Sequence, residues 1–242
     1  MIKPEIIVPY NVGSANADLK KAAARLTASK SYKNLSTVII TPTRGGRSLC
    51  PHHVSAMMGL MRPMNQQCVG PIYMSGMEVG HAFNSAIEMI KDNPVLSKFK
   101  YVLTVEDDNI PPPDGLLKLY ESIEDYDVVG GLYWTKGEDG QPMIYGDPKV
   151  NPLNFIPQIP VPDTVQRCNG LGMGFNLFRL SVFDKVEKPW FETKQSWNPN
   201  EGGKAYTQDL WFYERLIKAG GKVASDNRVR VGHLDVETGH VW

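Results

Sequence analysis

From Thr37 onward, short apolar runs break at polar turns and lead into stretches of helical spacing. Val38, Ile39 and Ile40 form a brief apolar run that ends at the hydroxyl- and glycine-rich Thr41-Pro42-Thr43-Arg44-Gly45-Gly46. Ser48 to Met61 then has helical length and apolar spacing, with Ser48 in position to cap it. Gln67 to Met74 reads as a second strand, Ser75-Gly76 as a turn, and Glu78 to Lys91 as a second helix, with His81 and Asn84 one turn apart near its start. A third strand, Tyr101 to Val105, is followed by a helix over Gly115 to Ile123, and Tyr126 to Trp134 is a further strand. The Gly130-Gly131 pair within it marks a bulge or a close backbone approach. Strands alternating with helices in this order predict an α/β protein that opens with half of a nucleotide-binding unit.

The second half is less regular. Thr135 to Thr164 is dense in Pro, Gly and Asn, as expected of a lid or binding loop, and Trp134 and Lys136 at its entrance are the candidates for acceptor recognition. In Cys168 to Phe183, Gly170, Gly172 and Gly174 alternate before the run turns apolar, which suggests backbone brought close to a ligand or another strand. Pro189 to Gly203 reads as a loop. Tyr206 to Ala219 is the clearest helix: Leu210, Tyr213, Leu216 and Ile217 recur at helical spacing, Thr207 serves as N-cap, and Gly220-Gly221 ends it. Asp209 lies in its first turn, where the helix dipole favours a carboxylate by about 0.3–1 kcal/mol, so capping is an alternative to a chemical role. Short strands follow at Lys222 to Ala224 and Arg228 to Val231, leading to Gly232-His233. Residues 1–36, with a strand candidate at Glu5 to Tyr10 and a basic helix-prone stretch from Asp18, are expected to form an extension packed on a domain spanning 37–242.

Composition removes several classes of function. The 26 basic and 26 acidic residues cancel, so overall charge does not point to nucleic acid or a membrane surface as partner. No run approaches the roughly 20 apolar residues of a membrane span, and MIKPEIIVPYNVG lacks the apolar core of a secretion signal. Cys50, Cys68 and Cys168 form no C-x-x-C pair, which argues against a disulfide framework and a zinc cage; a reducing, cytoplasmic location is expected, or the host cytoplasm for a viral protein. The adjacent His52 and His53 point to different helix faces and read as packing or surface residues.

The chemistry concentrates at Tyr101 to Asp114, YVLTVEDDNIPPPD, where an apolar strand ends abruptly in Glu106, Asp107 and Asp108. In open α/β sheets ligands bind beyond the carboxyl ends of the strands. Three adjacent carboxylates repel one another, and their hard oxygens suit Mg2+ or Mn2+ shared with nucleotide phosphates; a solvated acidic turn is the alternative. The glycines match neither G-x-G-x-x-G nor the P-loop spacing.

In order and separation these features resemble the nucleotide-sugar glycosyltransferases of the GT-A fold, most similar to the large family-two group. The resemblance covers about Thr37 to Asp235 and is carried by the Thr41-Pro42-Thr43-Arg44 turn, the Glu106-Asp107-Asp108 cluster with its prolines, the Gly170-Leu171-Gly172-Met173-Gly174 block with Arg179 downstream, Asp209 at a helix start, and His233 beyond a late strand. It implies a mixed central sheet flanked by helices and hexosyl-type transfer from a nucleotide-diphosphate sugar to an acceptor hydroxyl, on a sugar, lipid, protein, small molecule or modified nucleic acid. The cluster resembles a D-x-D motif with Glu106 in first place. Asp108 is then the metal ligand, Glu106 or Asp107 reaches the ribose or the metal through water, and His233 completes the coordination of Mn2+ or Mg2+. Thr41, Thr43 and Arg44 would line the nucleoside pocket, with Gly170 and Gly172 also on the donor side. Asp209 resembles the catalytic base of the inverting members, although Gln208 stands where that signature has an acid. A retaining transferase with His233 as metal ligand, a sugar-phosphate nucleotidyltransferase, and a non-catalytic carbohydrate- or nucleotide-binding domain are the alternatives.

Overall fold

A computed structural model describes residues 33–45, 49–198 and 202–242. The expectations for Glu5 to Tyr10, for the helix from Asp18 and for Ser48 as a cap lie outside these residues.

The chain builds β1 (Thr37–Thr43), α1 (Pro51–Gly59), β2 (Cys68–Ser75), α2 (Val79–Asp92), β3 (Tyr101–Val105), β4 (Asn109–Ile110), α3 (Gly115–Ser122) and β5 (Val128–Leu132). There follow β6 (Ile144–Tyr145), β7 (Val165–Cys168), β8 (Gly170–Leu171), β9 (Phe175–Arg179), β10 (Lys194–Asn198), β11 (Gly202–Tyr206), α4 (Gln208–Lys218), β12 (Val223–Arg230) and β13 (Gly232–His233). Seven strands form one mixed sheet in the order β2-β1-β3-β9-β5-β12-β7. β1 runs parallel to β2 and β3, β9 lies antiparallel between β3 and β5, and β12 is parallel to β5 and antiparallel to β7.

Alternate residues of each strand face opposite sides of the sheet, and the two cores follow that period. Val38, Ile40, Val102 and Phe178 pack against Phe83, Ile87 and Ile90 of α2 and Phe212, Tyr213 and Leu216 of α4. Ile39, Leu103, Val129 and Leu177 turn to the other face, under Met57 of α1 and Leu116, Leu119 and Tyr120 of α3. Full burial of each such side chain contributes about 1.5–3 kcal/mol.

Two regions differ from their sequence reading. Where a loop is expected at Pro189 to Gly203, β10 and β11 pair antiparallel as a hairpin, from Lys194 opposite Tyr206 to Asn198 opposite Gly202. The two short strands expected around residues 222–231 are one strand, β12. The sequence reading breaks it at the polar Ser225-Asp226-Asn227, yet all three are fully buried. Their side chains have partners: Ser225 bonds Asn227, and Asp226 accepts from Ser122 and Arg228. A satisfied polar group can occupy a strand interior, which hydrophobic patterning alone does not reveal.

α1 begins at Pro51, a favoured first helical residue because its missing N–H would have no intrahelical partner there. α2 is capped by Glu78, whose carboxylate accepts from the His81 N–H at 2.9 Å. Asn84 has a structural role: its amide accepts from the Trp190 and Phe191 N–H groups and donates to the Phe191 carbonyl. Residues 33–36 are tied down beside the sheet, Lys33 to Glu124, and Leu35 N–H to the Gln66 side chain at 2.8 Å. Among the described residues no helix is long and apolar enough to cross a membrane, and all three cysteines are free thiols.

Candidate active site

β1 and β3 run parallel side by side, so Thr43-Arg44 and Glu106-Asp107-Asp108 emerge together at the same end of the sheet. Between them lies a cavity of about 390 Å³ lined by Pro42, Thr43, Arg44, Met77, Val79, Glu106, Asp107, Asp108 and Gln208. Five of the residues expected in a binding site thus share one wall, while Thr41 is fully buried behind them.

The acidic turn is held from beneath. The Glu106 N–H donates to the Gly174 carbonyl at 3.2 Å, and the Asn109 N–H closes the turn on the Glu106 carbonyl at 3.0 Å. A Cβ on Gly174 would lie 2.6–2.7 Å from the Asn109 amide, so only glycine lets β9 begin this close to the turn. Gly172 plays the same part against Tyr133, whose hydroxyl oxygen would stand 2.1 Å from an added Cβ. Gly170 and Gly172 are both buried against protein side chains, Phe155 and Tyr133 respectively, rather than lining the cavity.

After the turn, β4 pairs antiparallel with β13, placing His233 opposite Asn109, and the Leu234 N–H donates to the Asp108 carbonyl at 2.8 Å. The ladder brings the His233 Nε2 to 3.6 Å from Asp108 Oδ2. The imidazole is oriented from its other side: Nδ1 lies 2.7 Å from the Trp134 carbonyl, which can only accept, so Nδ1 carries a proton and Nε2 is the nitrogen turned toward Asp108. Tyr133 fixes the ring plane edge-on, centroids 5.4 Å apart, and its hydroxyl accepts from the Gly174 N–H at 2.9 Å. Sequence reading does not single out Tyr133, because its role depends on a neighbour that the linear order conceals.

Lys136, at the entrance to the irregular loop, places its ammonium 2.6 Å from the same Asp108 Oδ2. Trp134 is 36 % exposed at the loop's edge. Asp209, by contrast, is only 7 % exposed. The inward stripe of α4 is Asp209, Phe212, Tyr213 and Leu216, so an acid takes the first position of an otherwise apolar face. Helical spacing is compatible with that stripe, but a reading guided by hydrophobicity draws it through Leu210 instead.

The electrostatics follow from this crowding. Burial, then the charges of Asp108, Asp209 and Asp107, raise the Glu106 carboxyl to about 8. Asp209 is also raised by burial, partly offset by hydrogen bonds from the Thr207 hydroxyl and the Leu210 N–H. Asp108 resists its own burial and is lowered to about 2 by hydrogen bonds and charge from His233 and Lys136. One carboxylate is therefore held ionised beside two that burial pushes toward the neutral form, an arrangement typical of functional sites. His53, fully buried on α1 behind the turn, donates its Nδ1–H to the Asn109 carbonyl at 3.3 Å and is lowered by burial.

Asp108 and His233, 3.6 Å apart, are the residues here that could hold a divalent ion. Among the described residues no group of three or more His, Cys, Asp or Glu could hold a metal. A pair of ligands would suit an ion that takes its remaining ligands from phosphate and water, as Mg2+ commonly does.

No family model matches the chain, and no curated protein sequence does. Solved structures do. The crystal structure of A197 from STIV superposes with a TM-score of 0.58 at 16 % identity, over 85 % of this chain and 92 % of that one. The crystal structure of GalNAc-T7 with UDP, GalNAc and Mn2+ superposes with a TM-score of 0.55 at 10 % identity, over 85 % of this chain and 45 % of that one. The fold is GT-A: a mixed central sheet flanked by helices, with the acidic turn at the crevice.

Proposed function

We propose that this protein is a glycosyltransferase that moves a sugar from a nucleotide-diphosphate sugar to an acceptor hydroxyl, with Asp108 and His233 as ligands of Mn2+ or Mg2+. The observation that carries the reading is the 3.6 Å approach of His233 to Asp108, which lines a cavity together with Thr43, Arg44, Glu106 and Asp107. The GT-A fold and a neighbour crystallised with UDP and Mn2+ support it.

Breaking the bond between sugar and diphosphate develops negative charge on the leaving phosphate, and a divalent ion supplies Lewis-acid stabilisation of that charge. Arg44, exposed at the end of β1, adds a cation on the nucleotide side, and Thr43 offers a hydroxyl there. Glu106 or Asp107 contacts the ribose, directly or through water. Asp209 removes the acceptor proton as the hydroxyl attacks, a contribution of about 10²–10⁴-fold from a positioned base. Its place on the inner stripe of α4, near enough for its charge to raise Glu106, favours the inverting reaction. Trp134 provides an acceptor-side face at the mouth of the 135–164 loop. Residues 37–242 form the transferase unit, and Lys33 and Leu35 just ahead of it are tied to it.

The test is a thermal-shift panel of nucleoside diphosphates with and without Mn2+, followed by donor-hydrolysis assays. A ligand that binds only the folded form raises its melting temperature. At least one nucleoside diphosphate should raise Tm more with Mn2+ than without; a panel with no Mn2+-dependent shift would refute the reading.

A further inference from the structure

Asp108 Oδ2 is approached from two directions: by the His233 Nε2 at 3.6 Å and by the Lys136 ammonium at 2.6 Å. A lysine so close to the oxygen expected to ligate an ion is a competitor for it. We propose that Lys136 is the resident counter-cation of this site, pairing with Asp108 while the crevice holds no ligand and passing to the diphosphate when a divalent ion takes the carboxylate. The inference rests on the metal-and-diphosphate reading above and adds a regulatory element to it.

The loop around Lys136 is built to present it there. Trp134 bridges to Pro142, the Thr135 N–H donates to the Gln141 carbonyl at 2.8 Å, the Gln141 N–H donates to the Thr135 hydroxyl at 2.8 Å, and Gly140 N–H closes on Gly137 at 3.0 Å. Gly137 takes φ +110°, a conformation closed to other residues without strain, directly after the lysine. Residues 134–142 thus make a closed turn whose base carries the Trp134 carbonyl that orients His233 and whose shoulder carries Lys136. One small loop therefore sets both groups that converge on Asp108.

Charge balance explains why such a cation is useful. Glu106, Asp107, Asp108 and Asp209 crowd the crevice, and leaving Asp108 ionised and partly buried without a partner would be costly. Lys136 supplies the partner with a flexible stem that can swing away. A divalent ion arriving alone must displace the ammonium from its 2.6 Å contact with Asp108. An ion arriving with a diphosphate gives Lys136 a new one. Lys136 thereby penalises binding of the bare metal and favours the diphosphate, which makes the two ligands mutually reinforcing.

The experiment is a pair of binary titrations by calorimetry on the wild type, Lys136→Met and Lys136→Arg: Mn2+ alone, and inorganic pyrophosphate alone in EDTA. Lys136→Met should bind Mn2+ about fivefold or more tighter than the wild type and pyrophosphate about fivefold or more weaker, within the usual span of coupling between sites. Lys136→Arg, which keeps the charge, should restore the wild-type order. A lysine that merely supported the loop would weaken both ligands together, and that result, or no change in either, would overturn the proposal. A wild type that binds neither Mn2+ nor pyrophosphate would refute the underlying metal-and-diphosphate reading instead.

Discussion

The His233 Nε2 stands 3.6 Å from Asp108 Oδ2 because the residue after Asp108 lies opposite His233 in the β4–β13 pair, which the Leu234 N–H ties to the Asp108 carbonyl. The relationship is set by backbone pairing, so side-chain substitutions at either position test the chemistry with little effect on the ladder that joins them.

Replacement of Asp108 with alanine should remove Mn2+-dependent donor hydrolysis. Loss of groups that only support a metal ligand typically costs 10–100-fold, so loss of the ligand itself should exceed about 100-fold. Circular dichroism should show an unchanged fold, and activity within about 10-fold of the wild type would exclude Asp108 as a ligand.

Asp209→Asn separates the base from the donor site. Donor binding should persist while transfer falls by about 10²–10⁴-fold. Since burial raises the Asp209 pKa, and the base works only when ionised, the acid limb of kcat/KM should lie above the ordinary aspartate value of 3.8, rate being lost as pH falls through it. Turnover in Asp209→Asn equal to wild type, or a limb at or below 3.8, would remove the assignment.

Glu106 should make the ligand-free protein sensitive to alkali. Its pKa is raised to about 8 in the folded chain from 4.5. Between these values the folded state holds a proton that the unfolded chain has released. Stability linked to Glu106 is therefore complete below pH 4.5 and declines as pH rises toward and through 8. Melting curves from about pH 5 to about pH 9 should fall less steeply for Glu106→Gln than for the wild type; parallel curves would contradict the raised value.

Tyr133→Phe should destabilise the fold by about 1–3 kcal/mol, because the Gly174 N–H loses its acceptor in a buried setting. Gly172→Ala should cost a similar amount by forcing a methyl group against the Tyr133 hydroxyl and Met143, and urea denaturation reads both. A change below about 0.5 kcal/mol in both would mean that this packing relaxes freely.

Much of the fold is legible in local pattern. The apolar runs at Val38–Ile40 and Tyr101–Val105 are strands because β-branched and aromatic residues fit a sheet buried on both faces. α2 follows from its 3.6-residue period and α4 from its length and glycine stop. The acidic turn stands out in the sequence because three charged residues at the end of an apolar strand would repel one another at the edge of a core unless a cation or donors met them there. The polar core of β12 and the β10–β11 hairpin are hidden, since hydrogen-bond partners distant in sequence settle the first and pairing with a second strand settles the other.

By itself the chain order determined which residues could do chemistry: hard oxygens at Glu106, Asp107 and Asp108, an imidazole at His233, a carboxyl at the start of α4. Which of them meet was decided only in three dimensions. Parallel pairing of β1 with β3 brought Arg44 to the acidic turn, β4–β13 pairing brought His233 to Asp108, and a closed turn set Lys136 on the same oxygen. Side-chain identity is a local property, whereas the pKa and partner of a carboxylate depend on charges and donors a few ångströms away that chain folding alone assembles.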